Sequence, residues 1–282
     1  LSSFVLAAVL FGALLHAAWN ALIKLQSDKF AAAASVAILA GVVGLPVMAA
    51  LPAPPAEAWP YLVASAIIHV GYFALVAFAY RSADLGVAYP LTRGSAPAFT
   101  ALLAYLLIGE TLGWNGWLAV AAVAAGIVAL SADALVRGGL TRSTATAAIL
   151  NAGVIVTYTL IDGLGARIVG NGLIYVAWML AGTAILIFAL LVAMRGTAFL
   201  VELRKGWLLG LVGAVLTVAS YSIALWAMTR APIGLVAALR ETSVVLAAIF
   251  GAVFFGEPFG PKRWLALALI LAGIVVLRLP GF

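Results

Sequence analysis

Apolar runs of about twenty residues alternate along this chain with short polar breaks, the pattern of helices long enough to cross a bilayer's hydrocarbon. Ten such spans are predicted: Phe4–Lys24, Ala31–Leu51, Trp59–Tyr80, Val87–Ile108, Trp114–Asp133, Thr146–Arg167, Leu173–Met194, Trp207–Met228, Leu235–Gly256 and Arg263–Leu279. The breaks carry turn residues and charge, as in Gln26-Ser27-Asp28-Lys29, Pro52 to Pro60, Gly109 to Gly113 and Gly170-Asn171-Gly172. None leaves room for a soluble domain or an enzymatic insert. The first run is too long for the apolar part of a secretion signal and has no basic stretch before it, so it reads as a span.

The pattern also repeats. Gly109-Glu110-Thr-Leu-Gly113, then Trp117-Leu118-Ala119 and Ala125-Gly126-Ile127-Val128, return as Gly256-Glu257-Pro-Phe-Gly260, Trp264-Leu265-Ala266 and Ala272-Gly273-Ile274-Val275. The two segments share about half their positions without a gap, which marks an internal duplication. Residues 1–135 and 144–282 then form two five-helix units. An odd number of spans per unit makes the second copy enter the membrane from the opposite face. The expected architecture is all-α and integral to the membrane, ten transmembrane helices as two inverted repeats (5+5) around a central cavity.

Composition identifies the solvent. The 282 residues are 66% hydrophobic and 9% charged, against about 45–50% and about 25% in a soluble domain. Lys and Arg outnumber Asp and Glu, 15 to 9. They are scattered singly and form no stripe, so no nucleic-acid partner is expected. Their distribution sets orientation instead. One face collects Lys24, Lys29, Arg81, Arg137, Arg142, Arg195, Arg204, Lys205, Lys262 and Arg263, and the other only Arg167, Arg230 and Arg278. The basic face is cytoplasmic by the positive-inside rule, which leaves both termini outside, periplasmic in a multi-pass inner-membrane protein. With no cysteine, disulfides and thiolate chemistry are excluded.

The Gly-Glu box that closes the fourth and ninth spans, followed by Trp-Leu-Ala and Ala-Gly-Ile-Val, resembles the repeat of EamA-type proteins, the ten-helix branch of the drug/metabolite transporter superfamily. Pro97 in the fourth span fits that repeat, whereas the ninth has Val244 or Val245 at the matching place. The resemblance implies a basket of ten helices with a cavity lined by the first, third, fourth, sixth, eighth and ninth spans, and export of small metabolites. The aromatic and polar content of those spans makes the chain similar to YddG-type amino-acid exporters.

Ionisable groups at depth are costly and face a cavity or a partner. They are His16, His69, Arg93, Asp162, Arg240 and Glu241. Asp162 and Arg240 lie at matched depth, about 9 Å below the outer ends of their spans, which predicts an ion pair with a structural or coupling role. Glu241, neighbouring Arg240 but about 100° around the helix, and His16, on one face with Asn20, are the other coupling candidates. Arg93 can equally reach back to the cytoplasmic headgroups. His69 has no span end within reach. With Tyr72 one turn on, and with Trp19, Tyr89, Arg93, Tyr158 and Tyr221, it is predicted to line the substrate route. Each of these groups could instead join packed helices. Glu110 and Glu257 end spans on opposite faces, so a structural turn role is expected in place of a catalytic pair.

No phosphate-binding loop, zinc-peptidase motif or nucleophile elbow occurs. The chain is therefore expected not to be an enzyme, to need no cofactor or metal, and to run on gradients. The predicted function is a secondary transporter that exports neutral or aromatic amino acids by alternating access. Its partners are a small-molecule substrate and membrane lipid, and a monomer is compatible with this reading. Efflux of hydrophobic or cationic drugs and exchange of sugar phosphates are the alternatives, with a membrane-embedded enzyme or scaffold behind them.

Overall fold

The computed structural model describes residues 1–24, 29–81, 96–138, 142–196, 198–256 and 259–279, and all their regular structure is helical. The order is α1 (Ser3–Lys24), α2 (Lys29–Ala50), α3 (Trp59–Arg81), α4 (Ala96–Ile108), α5 (Trp114–Gly138), α6 (Arg142–Val169), α7 (Gly172–Arg195), α8 (Ala198–Lys205), α9 (Trp207–Met228), α10 (Ile233–Arg240), α11 (Thr242–Phe255) and α12 (Pro261–Val276). Where they are described, the predicted spans are helical except at Leu51, Glu241, Gly256 and residues 277–279. Among the described residues, six stretches are long and apolar enough to cross a membrane, in α1, α2, α6, α7, α9 and the α10–α11 pair; Ala96–Ile108 and Trp114–Leu130 are shorter apolar helices.

Two elements depart from the expected pattern. The predicted ninth span is broken: α10 stops at Arg240, Glu241 forms a turn, and α11 restarts at Thr242. The short helix α8 lies in a break of the hydropathy pattern between two spans. Helix ends otherwise follow local chemistry. Asn171 caps α7, its side-chain oxygen accepting from the amides of Leu173 at 3.0 Å and Ile174 at 3.2 Å. Pro261 opens α12, where a missing N–H costs nothing. Gly109 and Gly256, the glycines of the two Gly-Glu boxes, end α4 and α11 with φ of 75° and 65°, a left-handed turn that a Cβ would oppose.

Packing is helix on helix. α2 lies against α7 and α9, α1 against α9 and α11, α3 against α6 and α7, and α5 against α12. In lipid, apolar burial gives helices little reason to associate, so close contact between small side chains matters more. The α2–α7 contact shows it: a Cβ on Gly41 would sit 2.4 Å from the Cβ of Ala184. The core between the helices holds Tyr175, Met179, Leu225, Met228 and Ile233, all fully buried. Large apolar side chains point outward, with Phe254 73% and Leu107 72% exposed. A surface of this kind is matched to hydrocarbon rather than to water.

Candidate functional site

The site is built from four helices, α3, α6, α7 and α9. α6 contributes Asp162, which is fully buried. Its carboxylate accepts two phenol hydroxyls: Tyr175 of α7 donates to Oδ1 at 2.9 Å, and Tyr221 of α9 donates to Oδ2. Hydrogen bonds to an ionised acceptor are stronger than neutral ones, and here they replace the water the carboxylate has lost. Gly165, almost one turn further along α6, makes room for this arrangement. A Cβ there would lie 2.3 Å from Cε2 of Tyr175.

α3 brings His69 to the same place. Its Nδ1 lies 2.9 Å from the carbonyl oxygen of Ser65 and 3.1 Å from the Ser65 hydroxyl. A carbonyl oxygen can only accept, so Nδ1 carries the hydrogen, and in the neutral ring Nε2 is an acceptor. The imidazole stacks at a tilt on Tyr158 with centroids 4.6 Å apart, and meets the ring of Tyr221 edge-on at 6.2 Å. Tyr72 meets Tyr158 edge-on at 6.0 Å. His69, Tyr72, Tyr158 and Tyr221, predicted together, thus stand in one cluster between α3, α6 and α9.

The other predicted residues are arranged differently. Asp162 and Arg240 do not form the expected direct ion pair. Tyr221 stands between them, its hydroxyl on Asp162 and its ring beneath the Arg240 guanidinium, whose Cζ lies 4.9 Å from the ring centroid. Matched depth carried no information on what lay between the two groups. Arg240 and Glu241 border a common cleft with Pro97, Thr100, Tyr158 and Thr159. The one-residue turn at Glu241, whose φ of −71° and ψ of −7° stay right-handed helical, lies between α10 and α11. On α1, Trp19 donates its indole N–H to Nδ1 of His16 at 3.2 Å, and the amide of Asn20 donates to the His16 carbonyl at 2.8 Å. Trp19 therefore meets its own helix and not the tyrosine cluster. Tyr89 and Arg93 lie outside the described residues.

Two features went unpredicted. One is Tyr175 as the second donor to Asp162; it lies in the first turn of α7, where a tyrosine reads as an ordinary span-end residue. The other is an outer latch. Arg167, in the last turn of α6, meets Glu110 of the first Gly-Glu box at 2.5 Å and donates to the carbonyls of Met228 at 2.8 Å and Ala231 at 3.0 Å. Glu110 also accepts from the amide of Ile233 at 2.7 Å and so caps α10. The two side chains carry opposite charge and were assigned to the same face, so the pairing was within reach of the sequence. Among the described residues no three His, Asp or Glu side chains gather as a metal would need.

Helices clad in apolar side chains, with titratable groups collected between them at depth, define a polytopic membrane transporter in class. The chain matches the EamA-like transporter family twice, over residues 3–132 and 143–279. It belongs to that family, within the drug/metabolite transporter superfamily, and is a transporter and not an enzyme. It is 26% identical over 232 residues to the uncharacterized transporter YwfM of Bacillus subtilis (strain 168), covering 78% of this chain and 73% of that protein. A shorter stretch of 76 residues is 34% identical to the multidrug resistance protein EbrB of the same organism, covering 27% of this chain and 63% of EbrB. One crystal structure, 20% identical, superposes with a TM-score of 0.73 over 99% of this chain and 96% of its own, a likeness of fold.

Proposed function

We propose that this chain is a ten-span secondary transporter that exports small metabolites, neutral or aromatic amino acids foremost, by alternating access between two inverted repeats, residues 1–135 and 144–282. The observation that carries the substrate route is the cluster of His69, Tyr72, Tyr158 and Tyr221 around buried Asp162. Aromatic walls with a few fixed polar groups suit a small amphipathic solute.

The inverted repeat has support in the α5–α12 contact. A Cβ on Gly126 would lie 3.0 Å from the Ala266 carbonyl oxygen and 3.4 Å from the Cβ of Leu269. A Cβ on Gly273 would lie 3.1 Å from the Ala119 carbonyl oxygen and 3.1 Å from the Cβ of Ala122. In the register of the Gly-Glu boxes these are the same residues with the copies exchanged, and the helices run antiparallel. That reciprocity is what a two-fold axis in the membrane plane produces. The two left-handed glycines, Gly109 and Gly256, repeat in the same register.

Drug efflux is the second reading, favoured by the EbrB match and by a buried carboxylate among tyrosines. A lipophilic cation would be drawn to Asp162. Arg240, held over the far face of Tyr221, opposes it. Counterflow decides between them. Proteoliposomes loaded with unlabelled L-phenylalanine should accumulate labelled L-phenylalanine, and tetraphenylphosphonium should not substitute for it. Exchange of the cation alone would reverse the order of the two readings. In the cysteine-free chain, a single cysteine at Glu57 should react only from outside and one at Arg142 only from the cytoplasm; the opposite pattern would invert the proposed orientation.

A further inference from the structure

Two opposite charges meet one cleft at the break between α10 and α11. Arg240 ends α10, Glu241 makes the turn, and both border an opening of about 260 Å³ whose other walls include Thr100 of α4 and Tyr158 and Thr159 of α6. Resting on the exporter reading above, we propose that Arg240 and Glu241 form a two-charge clamp for the head of a zwitterion. The guanidinium takes the α-carboxylate and the Glu241 carboxylate takes the α-ammonium.

Arg240 is presented for such a contact. Its cationic face is held 4.9 Å over Tyr221, and among the described residues no acceptor meets its N–H groups. A guanidinium bound by its face keeps its edge, a planar fork of donors that matches a carboxylate. Tyr221 is itself fixed from behind by Asp162, so the platform under the guanidinium is rigid. Glu241 is 5% exposed, a carboxylate at depth on the same cleft. Among the described residues that line it, the cleft carries one charge of each sign. A monocation is repelled by Arg240 and a monoanion by Glu241, while a zwitterion meets both favourably. Tyr158 links the cleft to the His69 cluster, so a side chain anchored by its head here would extend toward the aromatic rings.

Binding to the purified wild-type protein in detergent tests the clamp, with L-phenylalanine, its methyl ester and N-acetyl-L-phenylalanine as ligands in calorimetry. The parent should bind at least about tenfold more tightly than either derivative, since each has lost one charge of the pair. Arg240→Gln should erase the penalty for the ester, and Glu241→Gln the penalty for acetylation. Equal binding of parent and both derivatives to the wild type overturns the clamp, and this arm stands even if a variant fails to fold. L-phenylalanine counterflow alongside equal competition by the derivatives would overturn the clamp and leave the exporter reading intact. Absence of both binding and counterflow for L-phenylalanine and L-leucine would overturn both.

Discussion

Asp162 and Arg167 stand five residues apart on α6, about 7.5 Å along its axis, yet they dispose of charge in opposite ways. Arg167 meets Glu110 directly, and two backbone carbonyls accept further hydrogen bonds from its Nε and Nη2. Among the described residues Asp162 touches no cation; a phenol hydroxyl meets each of its oxygens and a tyrosine ring separates it from Arg240. Exposure explains the difference. The Arg167 side chain is 32% exposed and keeps part of its hydration, so a direct pair costs little. At 0% exposure every ion brought inward adds a desolvation penalty, and neutral donors stabilise the carboxylate without adding a second charge. Ion pairing thus suits the rim of this protein, and phenol bonding its middle.

The largest test removes the inner acceptor. Asp162→Ala leaves two buried phenols without a charged partner and should cost about 3–5 kcal/mol of folding stability in detergent, with Asp162→Asn costing about half as much because one acceptor remains. Stabilities within 0.5 kcal/mol of wild type, roughly the noise of surface substitutions, would mean the phenols find other partners. Gly165→Ala approaches the same bond from outside by pushing on the Tyr175 ring, and should cost about 1–3 kcal/mol; Tyr175→Phe in the same background should recover little if sterics are the cause.

At the rim the effects should be smaller and coupled. Glu110→Gln and Arg167→Gln should each cost about 1–2 kcal/mol, and the double variant less than their sum. Asp162→Asn with Arg240→Gln should instead add, coupling by less than about 1 kcal/mol, because a ring stands between the groups. Strong coupling in the inner pair and none in the outer would invert the contrast. His69→Ala should be the mildest on folding, within about 1 kcal/mol, yet should impair transport per folded molecule. Unchanged transport with lowered stability would make His69 a packing residue and remove it from the route.

Much of this was legible before any tertiary contact was known. His69, Tyr72, Tyr158 and Tyr221 were picked out because polar groups at depth need partners, and they meet. Trp19 was grouped with them on the same argument and instead bonds His16 on its own helix, since depth does not say which way a side chain faces. The broken ninth span was read as continuous because hydropathy is as high on either side of Glu241 as in an unbroken helix.

What the sequence determined by itself is local or additive: where helices run, where they end, which residues belong in lipid, and that one box occurs twice. Hydropathy and periodicity act over one span at a time, and no other part of the chain is needed to evaluate them. Only the tertiary structure decided which charge meets which partner. Arg167 finds Glu110 across 57 residues and Tyr221 finds Asp162 across 59, by way of helices whose rotations are set by contacts as close as Gly41 on Ala184. A rotation of a single helix would change those partners and leave every hydropathy window as it was, because the membrane constrains a helix's length far more tightly than its facing.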